Sequence, residues 1–227
     1  MKAPLSRGLG RYLREPVNSL THFVGILLSI AGLIVLLLLS AGEPWRTVSF
    51  AIYGGALILL YTASTLLHSL RVGVKAERRL RVFDHAAIFV LIAGSYTPIA
   101  LVTLQQGRGA WGWAIFGVVW LIALCGVFFK VVWLEAPRWF STALYLLMGW
   151  LALVAIVPIS ATLPAWGIFW LALGGLFYSV GAVIYGLKKP VMFPGIFSYH
   201  ELWHLFVLAG SACHFIMMLR YVLPQPL

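Results

Sequence analysis

The stretch Ser19–Ser40, SLTHFVGILLSIAGLIVLLLLS, decides the fold class. It is apolar from end to end, and its one titratable group, His22, lies near its start. A run of about 20 such residues matches the hydrocarbon thickness that an α-helix must cross in a bilayer. The run is too long for the core of a cleavable signal and lacks a clear cleavage site, so it is expected to remain in the chain as a span.

Six similar runs follow, at about 47–70, 82–104, 111–131, 139–160, 164–187 and 199–222. The expected fold is therefore an all-α membrane protein, a bundle of seven transmembrane helices. Residues 1–18 form an N-terminal segment ahead of a transmembrane domain over 19–222. Trp45, Trp111, Trp139 and Trp166 sit at span ends, where amphipathic rings favour the interface. Pro98 and Pro158 fall inside spans and are expected to kink or end them. The composition agrees: 62% of the residues are hydrophobic, 10% are charged and the mean hydropathy is +0.98. At 227 residues the seven spans leave no room for a sizeable domain outside the membrane. The two cysteines, Cys125 and Cys213, lie singly inside apolar runs and read as small buried thiols, not as a disulfide framework.

A net charge of +10 would suit a nucleic-acid partner if it were gathered on one face. It is instead distributed between the spans. Lys2, Arg7, Arg11 and Arg14 precede the first span. Arg71, Lys75, Arg78, Arg79 and Arg81 lie in the second connection, Lys130 and Arg138 flank the fourth, and Lys188 and Lys189 lie in the sixth. Only Arg46, Arg108 and Arg220 fall on the other side. The positive-inside rule then puts the N-terminus in the cytoplasm and the C-terminus outside, and excludes a nucleic-acid binder. The chain is expected in the inner (plasma) membrane of a bacterium.

This orientation brings polar residues of four spans to one membrane level. Asn18 and His22 start span one, Ser64 and His68 end span two, Asp84 and His85 start span three, and His200 and His204 start span seven. Ionisable groups inside a bilayer are costly and mark functional sites by default. His200 and His204 are four residues apart, so both imidazoles share a helix face. With His68 they make three imidazole ligands, and three imidazoles plus water form the open tetrahedral site of a catalytic zinc. Asp84 is placed to bind the metal, or to hold and deprotonate its water. Ser64 puts a hydroxyl one turn from His68. Glu15, Asn18 and His22, spaced by three and four, suit groups that orient the ligand histidines. The simpler alternative for these three is helix capping with a buried hydrogen-bond network. His85 points away from Asp84 and reads as structural, while His214 lies ten residues beyond His204, roughly 15 Å deeper.

The string His200-Glu201-Leu202-Trp203-His204 also matches HExxH, in which the glutamate is the general base of a zinc protease. Glu201 stands as that base or as a carboxylate near the helix end, and the sequence favours neither.

Four stretches carry a family resemblance: EPVNSLTH (15–22), STLLH (64–68), FDHAAIFVLIAGSYTP (83–98) and HELWHLFVLAGSACHF (200–215). Together they resemble the hemolysin III family, which is grouped with the progestin and adipoQ receptors and, more distantly, with the alkaline ceramidases. The resemblance covers nearly the whole chain. It implies a seven-helix bundle with a cytoplasmic N-terminus and zinc near the cytoplasmic face. It also implies His68, His200 and His204 as zinc ligands, Asp84 as the acid beside or on the zinc, and Ser64 as the serine near it. Glu15, Asn18 and His22 match the family's first motif. The family's last motif needs only HxxxH, so no role carries over to Glu201.

The resemblance implies three kinds of activity. Ceramidase-like relatives hydrolyse an amide in a lipid, which would make membrane lipids the partners and substrates here. The family name implies pore formation and lysis. Receptor-like relatives imply signalling or lipid homeostasis, although this chain has little external surface for a protein ligand. The sequence leaves the substrate and oligomeric state open.

Overall fold

The computed structural model describes residues 12–105, 109–194 and 196–225. Their regular structure is helical: α1 (Pro16–Leu39), α2 (Pro44–Ser69), α3 (Val74–Pro98), α4 (Gly109–Val132), α5 (Arg138–Gly149), α6 (Ile156–Thr162), α7 (Ala165–Leu187) and α8 (Tyr199–Met217). Among the described residues six helices are long and apolar enough to cross a membrane, counting the turns that extend α3 and α8. A seventh span arises if α5 and α6 are taken together, bent by 53°. The all-α bundle expected from the sequence is therefore present.

Local chemistry sets several helix ends. Pro16 and Pro44 open α1 and α2, where a missing N–H costs nothing. Ser198 caps α8 and forms a capping box with Glu201. α3 begins at Val74, earlier than the expected position 82, because Lys75–Arg81 are mostly good helix formers that continue the helix past its apolar part. Polarity marked the edge of the apolar span, not the edge of the helix.

The two intramembrane prolines act differently. Pro98 lies near the end of α3, which continues through a π-helical turn over Ile99–Thr103. Pro158 lacks the N–H that would bond the carbonyl four residues back, at Val154, and its ring crowds that carbonyl. The fifth span breaks at that point. α5 tightens into a 3-10 turn over Trp150–Leu153, and α6 starts at Ile156. The Tyr96 hydroxyl of α3 serves the disrupted backbone. It lies 2.5 Å from the Gly149 carbonyl and 3.2 Å from that of Met148, and accepts the Ala152 N–H at 2.7 Å.

The helices pack as a closed ring in the order α1, α2, α3, α5, α7, α8 and back to α1. α4 stands outside this ring against α3. Small residues allow the closest approaches. A Cβ at Gly94 would strike Ala56 across α2 and α3, and one at Gly174 would overlap the His214 ring across α7 and α8. The outer surface is studded with large apolar side chains, including Leu28, Leu38, Leu124, Phe128, Leu147 and Leu187. Such a surface suits hydrocarbon and not water. Inside the ring lies a cavity of about 530 Å³.

Candidate metal centre

Three histidines meet at one end of this cavity. His68 comes from the last turn of α2, and His200 and His204 from the first two turns of α8. Their ring centroids form a nearly equilateral triangle, 4.9 Å from His68 to His200, 5.0 Å from His68 to His204 and 4.9 Å between the α8 pair. One ligand nitrogen from each lies within 4.8 Å of the others, so the three are a candidate metal-binding cluster. His68 and His204 are buried, and His200 is partly so.

Neighbouring groups orient these rings. Glu15 Oε2 sits 2.7 Å from His68 Nδ1, which leaves His68 Nε2 for the cluster. Glu15 reaches this position because its backbone N–H donates to the His68 carbonyl, tying the start of α1 to the end of α2. Glu15 precedes α1 but makes no side-chain capping bond, so the capping alternative gives way to the histidine contact. Burial pushes the Glu15 carboxyl up, but its hydrogen bonds with His68 and Asn18 and the nearby imidazoles outweigh that and bring it down to about 2.

Asn18 Nδ2 donates to Glu15 Oε2 at 2.9 Å and to Glu201 Oε1 at 3.0 Å. It thereby joins the His68 side of the cluster to the α8 side. The other Glu201 oxygen accepts the Ser198 N–H at 2.7 Å and the Ser198 hydroxyl at 2.8 Å. Both oxygens of Glu201 are thus engaged in holding the start of α8. His22 lies face to face on His204, with centroids 3.6 Å apart and planes 10° apart, and meets the Tyr61 ring edge-on. Its contact with His204 is ring stacking.

Ser64 is buried one turn before His68, and its hydroxyl lies beside the Asp84 carboxylate. Ser64, Asp84 and all three cluster histidines line the cavity. The structure therefore brings together every site residue singled out in the sequence, with Asn18 off the cavity wall and behind Glu15. His85 is held by the Arg81 carbonyl at 2.7 Å and accepts the Tyr145 hydroxyl on its own carbonyl. His214 lies 3.3 Å from the Leu171 carbonyl and stands apart from the cluster.

Thr21 is a contributor that sequence spacing did not reveal. Its hydroxyl bonds the Val17 and Asn18 carbonyls, and its oxygen lies 3.5 Å from His204 Nδ1. That contact favours Nε2 of His204 as the nitrogen facing the cluster, as Glu15 does for His68. Two of the three imidazoles are thus oriented from behind. This donor set, three imidazoles, two of them oriented from behind, beside a carboxylate, fits a borderline metal such as zinc.

The motifs around these residues match known proteins. A family model for "Haemolysin-III related" proteins matches residues 11–215. The chain belongs to the haemolysin III family. It is 42% identical to the Hemolysin-3 homolog of Bacillus subtilis (strain 168), over 93% of this chain and 96% of that one. It is 41% identical to Hemolysin-3 of Bacillus cereus, over 94% of each. More distantly, it is 28% identical to the Monocyte to macrophage differentiation factor of Homo sapiens, over 96% of this chain and 90% of the human one. The match spans the bundle, so this haemolysin III-related chain is an integral membrane protein carrying a three-histidine cluster at one end of an internal cavity.

Proposed function

We propose that this haemolysin III-related protein is a zinc-dependent hydrolase of a lipid amide, acting in the plasma membrane of a bacterium with its site toward the cytoplasm. One observation carries the reading: the histidine cluster, Asp84 and Ser64 open into a cavity whose deeper walls are apolar, among them Leu91, Ile99, Ile156 and Leu171. An acyl chain suits such a pocket, and a scissile bond near its polar end would lie beside the cluster.

Zinc at His68, His200 and His204 would supply a Lewis acid and bring the pKa of water down toward about 7. Asp84 accepts the proton of a water attacking the amide carbonyl carbon. It then returns that proton to the nitrogen as the carbon–nitrogen bond breaks, releasing a fatty acid and an amine. Ser64 donates a hydrogen bond to the oxygen on which charge develops. Glu15 and Thr21 hold two of the imidazoles in orientation, and Asn18 holds Glu15.

A protease reading of HExxH has less support, since both oxygens of Glu201 are already engaged by Asn18 and Ser198. A lytic reading is favoured by the name of the Bacillus cereus relative, Hemolysin-3. One comparison separates lysis from hydrolysis: red-cell lysis and membrane lipid composition in cells making wild type or His68→Ala at matched membrane levels. Hydrolysis predicts a lipid change with wild type that disappears with the variant. Undiminished lysis by the variant, with no lipid change from wild type, would replace the hydrolase with a pore.

A further inference from the structure

α4 stands outside the helical ring, yet among the described residues one of its side chains lines the cavity, and that side chain is Lys130. Lys130 is 1% exposed and sits within an apolar span. Its ammonium donates to Ser141 Oγ of α5 at 2.6 Å. The helix dipole favours a cation in the last turn of α4, but that preference is met equally by a lysine extended into water. Burying one is costly without a counter-ion.

The charges around the cavity do not supply that counter-ion. Arg14 pairs with Glu15 and Glu77, and Arg81 with Glu77 and Glu135. Glu135 acts on Lys130 electrostatically from beyond salt-bridge distance, but its side chain is largely exposed and its carboxylate is paired with Arg81. Asp84 is taken up beside Ser64 and the histidines. Arg138 donates to the Tyr199 hydroxyl and lies over the Tyr185 ring. Among the described residues Lys130 forms no salt bridge. Ser141 accepts from the lysine, so its own proton remains free to donate. An ammonium and a hydroxyl 2.6 Å apart, on the wall of the cavity, match an anionic oxygen that takes one hydrogen bond from each.

We infer that Lys130 and Ser141 form a subsite for the anionic group, carboxylate or phosphate, of a single-chain lipid held in the cavity. The inference rests on the reading of the cavity as a lipid site, and is separate from the metal cluster.

The test is binding of three probes with the same chain, oleate, oleoyl-lysophosphatidate and oleyl alcohol, to the purified full-length protein, before and after chelation. The anionic probes should bind about tenfold or more tighter than the alcohol, as loss of a charge-assisted hydrogen bond implies. The preference should survive chelation. A preference confined to oleate identifies a carboxylate ligand, and one confined to the lysophospholipid a phosphate ligand. Lys130→Met should abolish the preference while leaving oleyl alcohol affinity unchanged, and Ser141→Ala should reduce it by a smaller factor. Thermal unfolding of each variant checks that it folds, and Ser141→Ala with wild type carries the test if Lys130→Met does not. Preference undiminished in both variants, or lost on chelation alone, would overturn the subsite. Equal binding of all three probes overturns it too but leaves the lipid cavity standing, whereas no binding of any probe removes both.

Discussion

Glu15 and His68 meet at 2.7 Å although 53 residues separate them in the chain. The contact joins the segment before the first span to the end of the second, at the level where α8 delivers its two histidines. A carboxylate on Nδ1 fixes the imidazole tautomer and strengthens Nε2 as a ligand. Replacing Glu15 by Gln keeps the shape and removes the charge. Metal affinity, measured by competition with a chelator, should fall by about 10- to 100-fold. Glu77→Gln, which alters only pairs with Arg14 and Arg81, should leave it unchanged. Equal affinities in the two variants would remove Glu15 from the site.

The cluster assignment separates two histidines of one helix. His204→Ala should lose most of the roughly one zinc per chain expected of an open three-imidazole site. His214→Ala should retain it, because that ring contacts Tyr178 and the Leu171 carbonyl and stands apart from the cluster. Metal content of the purified variants decides the matter, and equal retention would refute the assignment.

Two carboxylates compete for the role of base, and their surroundings differ. Asp84 lines the cavity beside Ser64, whereas Glu201 serves the capping box and Asn18. Asp84→Asn should abolish fatty-acid release from lipid amides. Glu201→Gln should retain most of it, with a stability loss of about 0.3–1 kcal/mol from the lost negative charge at the start of α8. Cleavage of a membrane-peptide reporter that disappears only with Glu201→Gln would reverse the assignment and favour a protease.

The distribution of lysine and arginine predicts a cytoplasmic N-terminus and an external C-terminus. Reporter fusions at the two ends measure this directly. A C-terminal reporter active only in the cytoplasm would contradict that orientation.

Much of the site was legible because two constraints act on the same residues. Hydrocarbon thickness fixes the length of each apolar run, and basic residues fix which end of each run faces which side. His68, Asp84, His200 and His204 then fall at one level without any knowledge of packing. Thr21, Lys130 and Tyr96 were not assigned their roles in this way. Their contacts depend on helix rotation and on the order of helices around the ring. In a soluble protein the polar face of a helix reveals its rotation. Here lipid-facing and core-facing sides are both apolar, so that signal is missing. The sequence also could not decide between the two readings of Glu201. That choice rests on Asn18 and Ser198 occupying its two oxygens, and the contact with Asn18 spans 183 positions.

The 3-10 turn that interrupts the fifth span gives the chamber an unequal wall. Trp150 and Leu153 line the interior, and they are 42% and 56% exposed. In a bilayer the outer face of this bent span meets hydrocarbon. At the opposite extreme the chamber borders Arg14, Glu77 and Glu135, groups that belong with water and lipid headgroups. The same interior thus has an oily neighbour and an aqueous one. A reaction between a molecule dissolved in fat and a molecule of water needs just such a meeting place, with each reactant arriving from the phase in which it is soluble.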